Sequence, residues 1–475
     1  MGNTDSGGFF AAALAELALK TYRGSYSELA ARNATNCIAD TISVALAGCS
    51  EPCVAILADT PGVCEAPGDG LIWGAAQRTS ALDAALINAT ASHALDYDDI
   101  CAKFGGHHSA PLVAPLLAVG EGRKSSGEEI LRAYITGVEV EVRLASALHP
   151  EHYGKGWHPT STIGVFGVAA AAACLLGLDE TQLATALGLC ASMASGIKAN
   201  FGSMAKPLHV GMCARSGLLA ALLAQRGYDA GPQAFEGVQG FFNVYNGAGN
   251  YALERVFEAG DGGLEIEGTS VGIKQFPCCG STHAAITMAL EVLRDIQRDA
   301  NPDARRQSGL DPSQVKQIRI LPNGNRLAHT NKPMPRTVLE AKFSVQHVVA
   351  RALVSGSVRL DHFSEACVQD PAILELLHKT EALPHPDMPL TGDHLWGAEV
   401  IVHLHSGAVF SRRIEDLTCR DGNYPMSDEE LWEKFKDCAG ARLAPVAVKQ
   451  LYERLHNLKA IEDVGSVTAL LSVHD

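Results

Sequence analysis

The feature that most constrains this chain is a succession of segments between about residues 9 and 260 whose small apolar residues recur three and four apart. "AALAELALKTY", "AARNATNCIADTISVALAG", "SALDAALINATASHALDY", "STIGVFGVAAAAACLLGL" and "HVGMCARSGLLAALLAQRG" all show it. That spacing lines apolar side chains along one helix face, and alanine and glycine at the contacts let helix axes approach closely. Gly177 and Gly227 end two of the segments, as C-capping glycines do. The pattern changes near residue 270. Beyond it lie β-like runs, "QVKQIRILP" (314–322) and "AEVIVHLHSGAVFSRRIE" (398–415), the second alternating around Ser406–Gly407 as a hairpin does. Helical segments such as "STHAAITMALEVLRDIQRD" lie between them, and the tail is helical again. The expected fold is mainly α: an all-helical domain over 1–269 and 405–475, discontinuous in sequence, and a smaller α+β domain over 270–404.

With 47% apolar and 19% charged residues, the chain can bury a large core. Its 53 acids against 38 bases give a net charge of −15, which argues against nucleic acid or an anionic membrane as partner. An anionic substrate would have to be met by cations gathered locally. The 13 cysteines are odd in number and include no CxxC, which fits reduced thiols in the cytoplasm. The first residues, "MGNTDSGGFF", lack the basic stretch of a secretory signal. The greasiest run, 164–178, reads as too short to cross a bilayer. A soluble, cytoplasmic protein is expected.

Chemistry-bearing residues cluster in Gly/Pro-punctuated loops. "LDYDDICAKFGGHHSAP" (95–111) sets Asp96, Asp98 and Asp99 near the end of a helical segment, ahead of His107 and His108. Carboxylates there oppose the helix dipole, so they are either a solvated acidic turn or functional groups. Metal ligation is the weaker use, since adjacent aspartates do not easily face one ion and no HxxxH supports them. His158 precedes a Pro-Thr-Ser helix start in "GWHPTSTIGVFG", either an anion-site imidazole or a structural hydrogen-bonder. Lys206 in "MAKPLHVG" is either a carboxylate partner or a snorkelling surface lysine. Lys274, Cys278, Cys279 and His283 share "KQFPCCGSTH", where one reactive and one packed thiol is the simplest assignment. No dinucleotide, P-loop or GxSxG motif is present. Two lysines and several imidazoles suit a small di- or tricarboxylate, the lysines as point charges and the imidazoles as proton carriers.

In this order, "SHALDYDD", "HHSAPLVAPLLAVGE", "GWHPTSTIGVFGVAAAA", "MAKPLHVG" and "KQFPCCGSTH" resemble the MmgE/PrpD family over nearly the whole chain. That family includes 2-methylcitrate dehydratase, cis-aconitate decarboxylase and iminodisuccinate epimerase. The resemblance implies a large helical domain with a smaller α+β lid, a homodimer, and a site that needs neither metal nor organic cofactor. By motif, Asp96, His108 (seven residues before Pro115), His158, Lys206 and Lys274 match the family's site positions. Cys279 stands where the decarboxylase branch has a histidine, and His329 in "NRLAHTNKP" stands where that branch supplies a tyrosine. "GWHPTSTIGVFG", the "NFGSMAKPLHVG" run and a cysteine after the lid proline look more like the epimerase. The implied function is a cofactor-independent lyase, a dehydratase or decarboxylase, that moves a proton next to a carboxylate. The alternatives are an epimerase of an iminodisuccinate-like dicarboxylate and an inactive carboxylate-binding homologue.

Overall fold

The computed structural model describes residues 10–258, 263–300, 309–390, 395–417 and 419–473. The first nine residues, on which the leader reading rests, lie outside that set. The chain forms two compact units, Met1–Ile273 with Asp421–Asp475, and Lys274–Arg420. The second unit starts and ends later than the expected 270 and 404, for reasons of strand pairing. Val271–Ile273 belongs to the first unit because it pairs antiparallel with Ile100–Cys101. At the far end, Ala398–Leu404 and Val409–Ile414 are two arms of one hairpin, so a boundary at 404 would cut a hydrogen-bonded ladder. The first unit is also not purely helical. Besides Ile100–Cys101 it carries a small antiparallel pair, Gly70–Leu71 with Arg78–Thr79.

Local chemistry sets the ends of its helices. Ser27 accepts from the Ala30 amide at the start of Glu28–Gly48. Ser126 and Glu129 form a reciprocal capping box on Gly127–Leu148, as Asp179 and Gln182 do on Glu180–Met193. Gly177, at φ 75°, ends Gly164–Leu176 in the left-handed conformation that glycine adopts freely.

The helix Ala81–Ala94 occupies the centre, with every residue from Asp83 to Ala94 buried. Glu28–Gly48, Ala110–Arg123 and Ala205–Gln225 pack around it. Two glycines make that possible. A Cβ on Gly48 would press into the Ala91 carbonyl, and one on Gly211 into Thr90 Oγ1 and the Leu86 carbonyl. The tail helix Asp428–Ala439 lies on Glu28–Gly48, where Lys434 pairs with Asp40 at 2.6 Å, both buried.

By length and composition Ala205–Gln225 can cross a membrane, and so can Pro159–Leu176, which includes the turn before the run thought too short. The second stretch is 94% buried inside the protein, so its greasiness serves the core.

The second unit is a four-stranded sheet in the order Thr380–Ala382, Val315–Pro322, Ala398–Leu404, Val409–Ile414. The first pair is parallel and the other two are antiparallel. Gly407, at φ 93°, turns the hairpin. Helices His283–Ala300 and Val345–Ser355 pack on each other, and the first of them packs on the hairpin strands. Ile318, Ile320, Val400 and Val402 face their apolar sides.

Replacing Gly211 by alanine should force the two central helices apart. The expected loss is about 1–3 kcal/mol, typical of overpacking, read from urea unfolding midpoints.

Candidate active site

The site is organised where Ala81–Ala94 ends. Leu95 caps the helix, and Asp96 then adopts φ 53°, a left-handed conformation rare outside glycine and tolerated by aspartate. Its amide still bonds the His93 carbonyl at 3.2 Å. Residues in sparsely populated backbone regions are held by their surroundings. Here the holding groups are Lys206, whose Nζ donates to Asp96 Oδ1 at 2.7 Å, and Lys434, which donates to the Tyr97 carbonyl at 2.9 Å. Asp96 and Lys206 are 5% and 6% exposed, so this ion pair is inside the protein.

Three imidazoles surround it. His107 Nε2 lies 3.5 Å from Asp96 Oδ1, and its Nδ1 lies 2.9 Å from Asp98 Oδ2. His93, on the last turn of Ala81–Ala94, brings Nδ1 to 2.8 Å from the same Asp98 oxygen. The His93 and His107 rings meet edge-on with centroids 4.4 Å apart. His158 stands 5.9 Å from His93, ring to ring, and its Nδ1 is 3.3 Å from His209 Nδ1. It is placed by its own backbone, whose amide bonds Gly196 and whose carbonyl receives the Ser161 and Thr162 amides at the start of the next helix. Phe201 walls this side, edge-on to His158 at 4.9 Å and 5.1 Å from the Lys206 ammonium.

Charge in so little water fixes the protonation. Burial, the Lys206 ammonium and the neighbouring imidazoles push His158 well below the ordinary histidine range, leaving it a neutral base. Burial lowers His93 to about 4 despite the Asp98 carboxylate beside it. For Asp98, burial works to raise the pKa, but His107 and His93 outweigh it and hold the carboxyl well below the ordinary range.

His108, the histidine that the motif count selects, is not in this group. It points to the other side of the loop with Asp99, whose Oδ1 lies 3.4 Å from His108 Nδ1. Within this bent loop Asp98 and Asp99 turn to opposite sides, as do His107 and His108. Asp96, Asp98 and His107 therefore share one side, and Asp99 and His108 the other. On that side Asp99 accepts from the Ser109 hydroxyl, which also meets Tyr134 Oη at 2.6 Å. Burial raises Asp99 to about 7, lowers His108 to about 3 and raises Glu141 strongly.

Of the other expected residues, Lys206 and His158 join Asp96 as described. Lys274, Cys279 and His329 belong to the second unit. There Cys279 Sγ is 3.8 Å from His329 Nε2, which also lies 3.0 Å from Ser281 Oγ, and Lys274 is 1% exposed. Sequence reasoning raised Asp98 and His107 without placing them in the site, and did not pick out His93.

Two sets of donors lie close enough to share a cation: His93, Asp96, Asp98 and His107, and separately Cys37, Asp99 and His108, each within 4.8 Å. Asp98 and Asp99 fall in different sets. In the first, the Lys206 ammonium already meets Asp96 Oδ1 at 2.7 Å.

The neutral layer around His108 carries a pH signature. Between pH 6.5 and about 3 the unfolded chain binds the extra proton at His108, so that residue costs stability as pH falls through the window. Asp99 works in reverse, because between 3.8 and about 7 the folded chain holds the extra proton and stability falls as pH rises. A His108→Leu variant should therefore gain stability relative to its parent as pH drops from about 6.5 towards 4. Urea midpoints at several pH values check this; a constant difference across the range would contradict it.

The chain is similar to known proteins over most of its length. The MmgE/PrpD N-terminal domain matches residues 12–254 and the MmgE/PrpD C-terminal domain matches residues 276–458. Cis-aconitate decarboxylase of Homo sapiens is 31% identical over 408 residues, covering 84% of this chain and 81% of that protein. The Mus musculus protein of the same name is 30% identical, with 84% and 80% covered. That of Aspergillus terreus is 26% identical over 427 residues, with 86% and 84% covered. Matched by the models of both domains, and 31% identical to a relative of which it covers 81%, the chain belongs to the MmgE/PrpD family.

Proposed function

We propose that this protein is a lyase that removes a carboxyl group from a small tricarboxylate, cis-aconitate foremost, by moving a proton at a carbon next to a carboxylate. The observation that carries the reading is the buried Asp96–Lys206 pair with His107 Nε2 beside it. A net charge of −15 repels a tricarboxylate from the bulk of the surface, so affinity has to come from an ammonium held at one place. Lys206 is such a group. Three relatives that share most of the chain are named for cis-aconitate decarboxylation, which supports the same reaction class.

The step itself is simple in electrons. The bond from carbon to the departing carboxyl breaks, and its electron pair forms a new double bond. The existing double bond shifts its pair to the far carbon, which takes a proton. Carbon dioxide leaves and the skeleton keeps two carboxylates. Lys206 offsets negative charge as it spreads over the allylic carboxylate, in surroundings of low dielectric where such contacts are strong. His107 delivers the proton from Nε2. His158, neutral and buried, is the second proton carrier of the cluster. Loss of water from a hydroxylated tricarboxylate would use the same charge stabilisation, with the imidazole proton going to the hydroxyl.

An epimerase reading has one observation in its favour, the Cys279–His329 thiol–imidazole pair, because inversion needs a second acid/base group.

Proton NMR of the chelator-treated protein in D₂O separates these outcomes. Decarboxylation predicts that cis-aconitate disappears and the product carries one carbon-bound deuteron. Deuterium entering an intact dicarboxylate, with inversion, would support the epimerase reading instead. Untouched cis-aconitate would sink the proposal. His107→Ala should cost about 10²–10⁴-fold in kcat, as loss of a positioned acid does. Lys206→Ala should cost about 10²–10³-fold, the scale of losing a charge-stabilising contact. Chelation should leave the rate unchanged.

A further inference from the structure

We propose that Lys434, on the tail helix Asp428–Ala439, is a positioning residue for the reaction: its ammonium clamps Tyr97 and so holds the left-handed turn that keeps Asp96 on Lys206. What this does for catalysis rests on the lyase reading above; the clamp itself does not.

A single ammonium serves two residues here. Lys434 Nζ donates to the Tyr97 carbonyl at 2.9 Å, lies 4.0 Å from the centre of the Tyr97 ring, and pairs with Asp40 Oδ1 at 2.6 Å. All three residues are buried, so water does little to weaken these contacts. Tyr97 is gripped twice, once on its backbone and once on its side chain. It cannot turn about its own backbone bonds without giving up a hydrogen bond or a cation–π contact. The residue before it is Asp96, at φ 53°, a conformation that persists only when the surroundings hold it. Asp96 in turn presents Oδ1 to Lys206 Nζ, 2.7 Å away.

Anchoring the tail helix does not account for this arrangement. A buried ion pair is a weak source of stability, because desolvation can take back what the attraction gives. Asp40 shows the balance: burial pushes its carboxyl up to about 7 although the Lys434 ammonium opposes the shift. Apolar packing is what docks the helix. Phe435, Cys438 and Ala439 are buried on it, and the Phe435 ring meets that of Tyr452 with centroids 5.0 Å apart. Lys436, two residues on, pairs with Glu433 where both are about half exposed, the ordinary use of a lysine on such a helix. An apolar side chain at 434 would leave the docking in place and remove the grip on Tyr97.

The test sets Lys434→Met against the double variant Lys434→Met/Asp40→Leu. The single change strips a buried carboxyl of its counter-ion and should lower the melting temperature. Removing both charges should return it to within about 4 °C of wild type. Turnover should not return with it. Both variants should lose about 10²-fold in kcat, the scale of a misplacement of about 1 Å, with KM within about threefold of wild type. A double variant that regains both stability and kcat would mean that Lys434 serves the fold alone, and would overturn the proposal. Asp40→Asn leaves the ammonium on Tyr97 and should keep kcat within about fivefold of wild type. A loss there as large as in Lys434→Met would assign the effect to the ion pair and also refute it; this comparison decides if the double variant melts early. Crystal structures of wild type and Lys434→Met read the clamp without turnover. The Tyr97 carbonyl should swing in the variant, and Asp96 Oδ1 should move beyond about 3.5 Å from Lys206 Nζ. An unmoved Asp96 would overturn the proposal whether or not cis-aconitate reacts. Absence of turnover in the wild type would refute the lyase reading and leave the crystal comparison to decide the clamp.

Discussion

An ammonium and a carboxylate cannot be taken out of water cheaply, and the Asp96–Lys206 pair is the interaction to which the rest of the site is fitted. Removing either ion from water costs several kcal/mol, and only good geometry returns it. The chain obtains that geometry by placing Lys206 on the first turn of one helix and Asp96 just past the end of another. The glycine-mediated approach of those two helices brings the charges to 2.7 Å. Burial, with the ammonium adding to it, keeps His93 and His158 from readily taking a proton. Neutral bases beside a fixed cation are what a reaction developing negative charge requires.

The loop that carries the acids separates two layers. Facing Lys206 is an ionised one, made of Asp96 and Asp98. Behind it Asp99, Glu141 and His108 are driven by burial toward their uncharged forms. A protonated carboxyl can donate a hydrogen bond where a carboxylate cannot. The rear layer therefore supports the loop without adding a second charge to the interior. This division explains why so acidic a stretch can be buried at all.

Much of this was legible in the sequence. Small-residue periodicity and the change near 270 reported a helical body and an α+β region, and the ordered motifs pointed to Asp96, His158 and Lys206. The errors have physical causes. His108 was chosen by counting back from Pro115, a linear measure that cannot tell which of two adjacent side chains faces inward. His93 was hidden because a histidine within a helix buried on all sides looks like core. The domain boundary at 404 ignored that a hairpin turn joins its two strands more tightly than any linker separates them. The membrane reading of 164–178 measured one helix and left out the turn of Pro159–Thr162 that extends it.

The contact between Lys434 and the Tyr97 carbonyl joins groups 337 residues apart. During synthesis the N-terminal parts of a chain emerge and begin to fold first. The turn that holds Asp96 must then wait for a lysine translated 337 residues after Tyr97. Most of the helical body can assemble before that moment, while its reactive loop still lacks its final tie. Competence for chemistry is thereby deferred until a residue 337 positions downstream has been made, a timing written into the order of its residues.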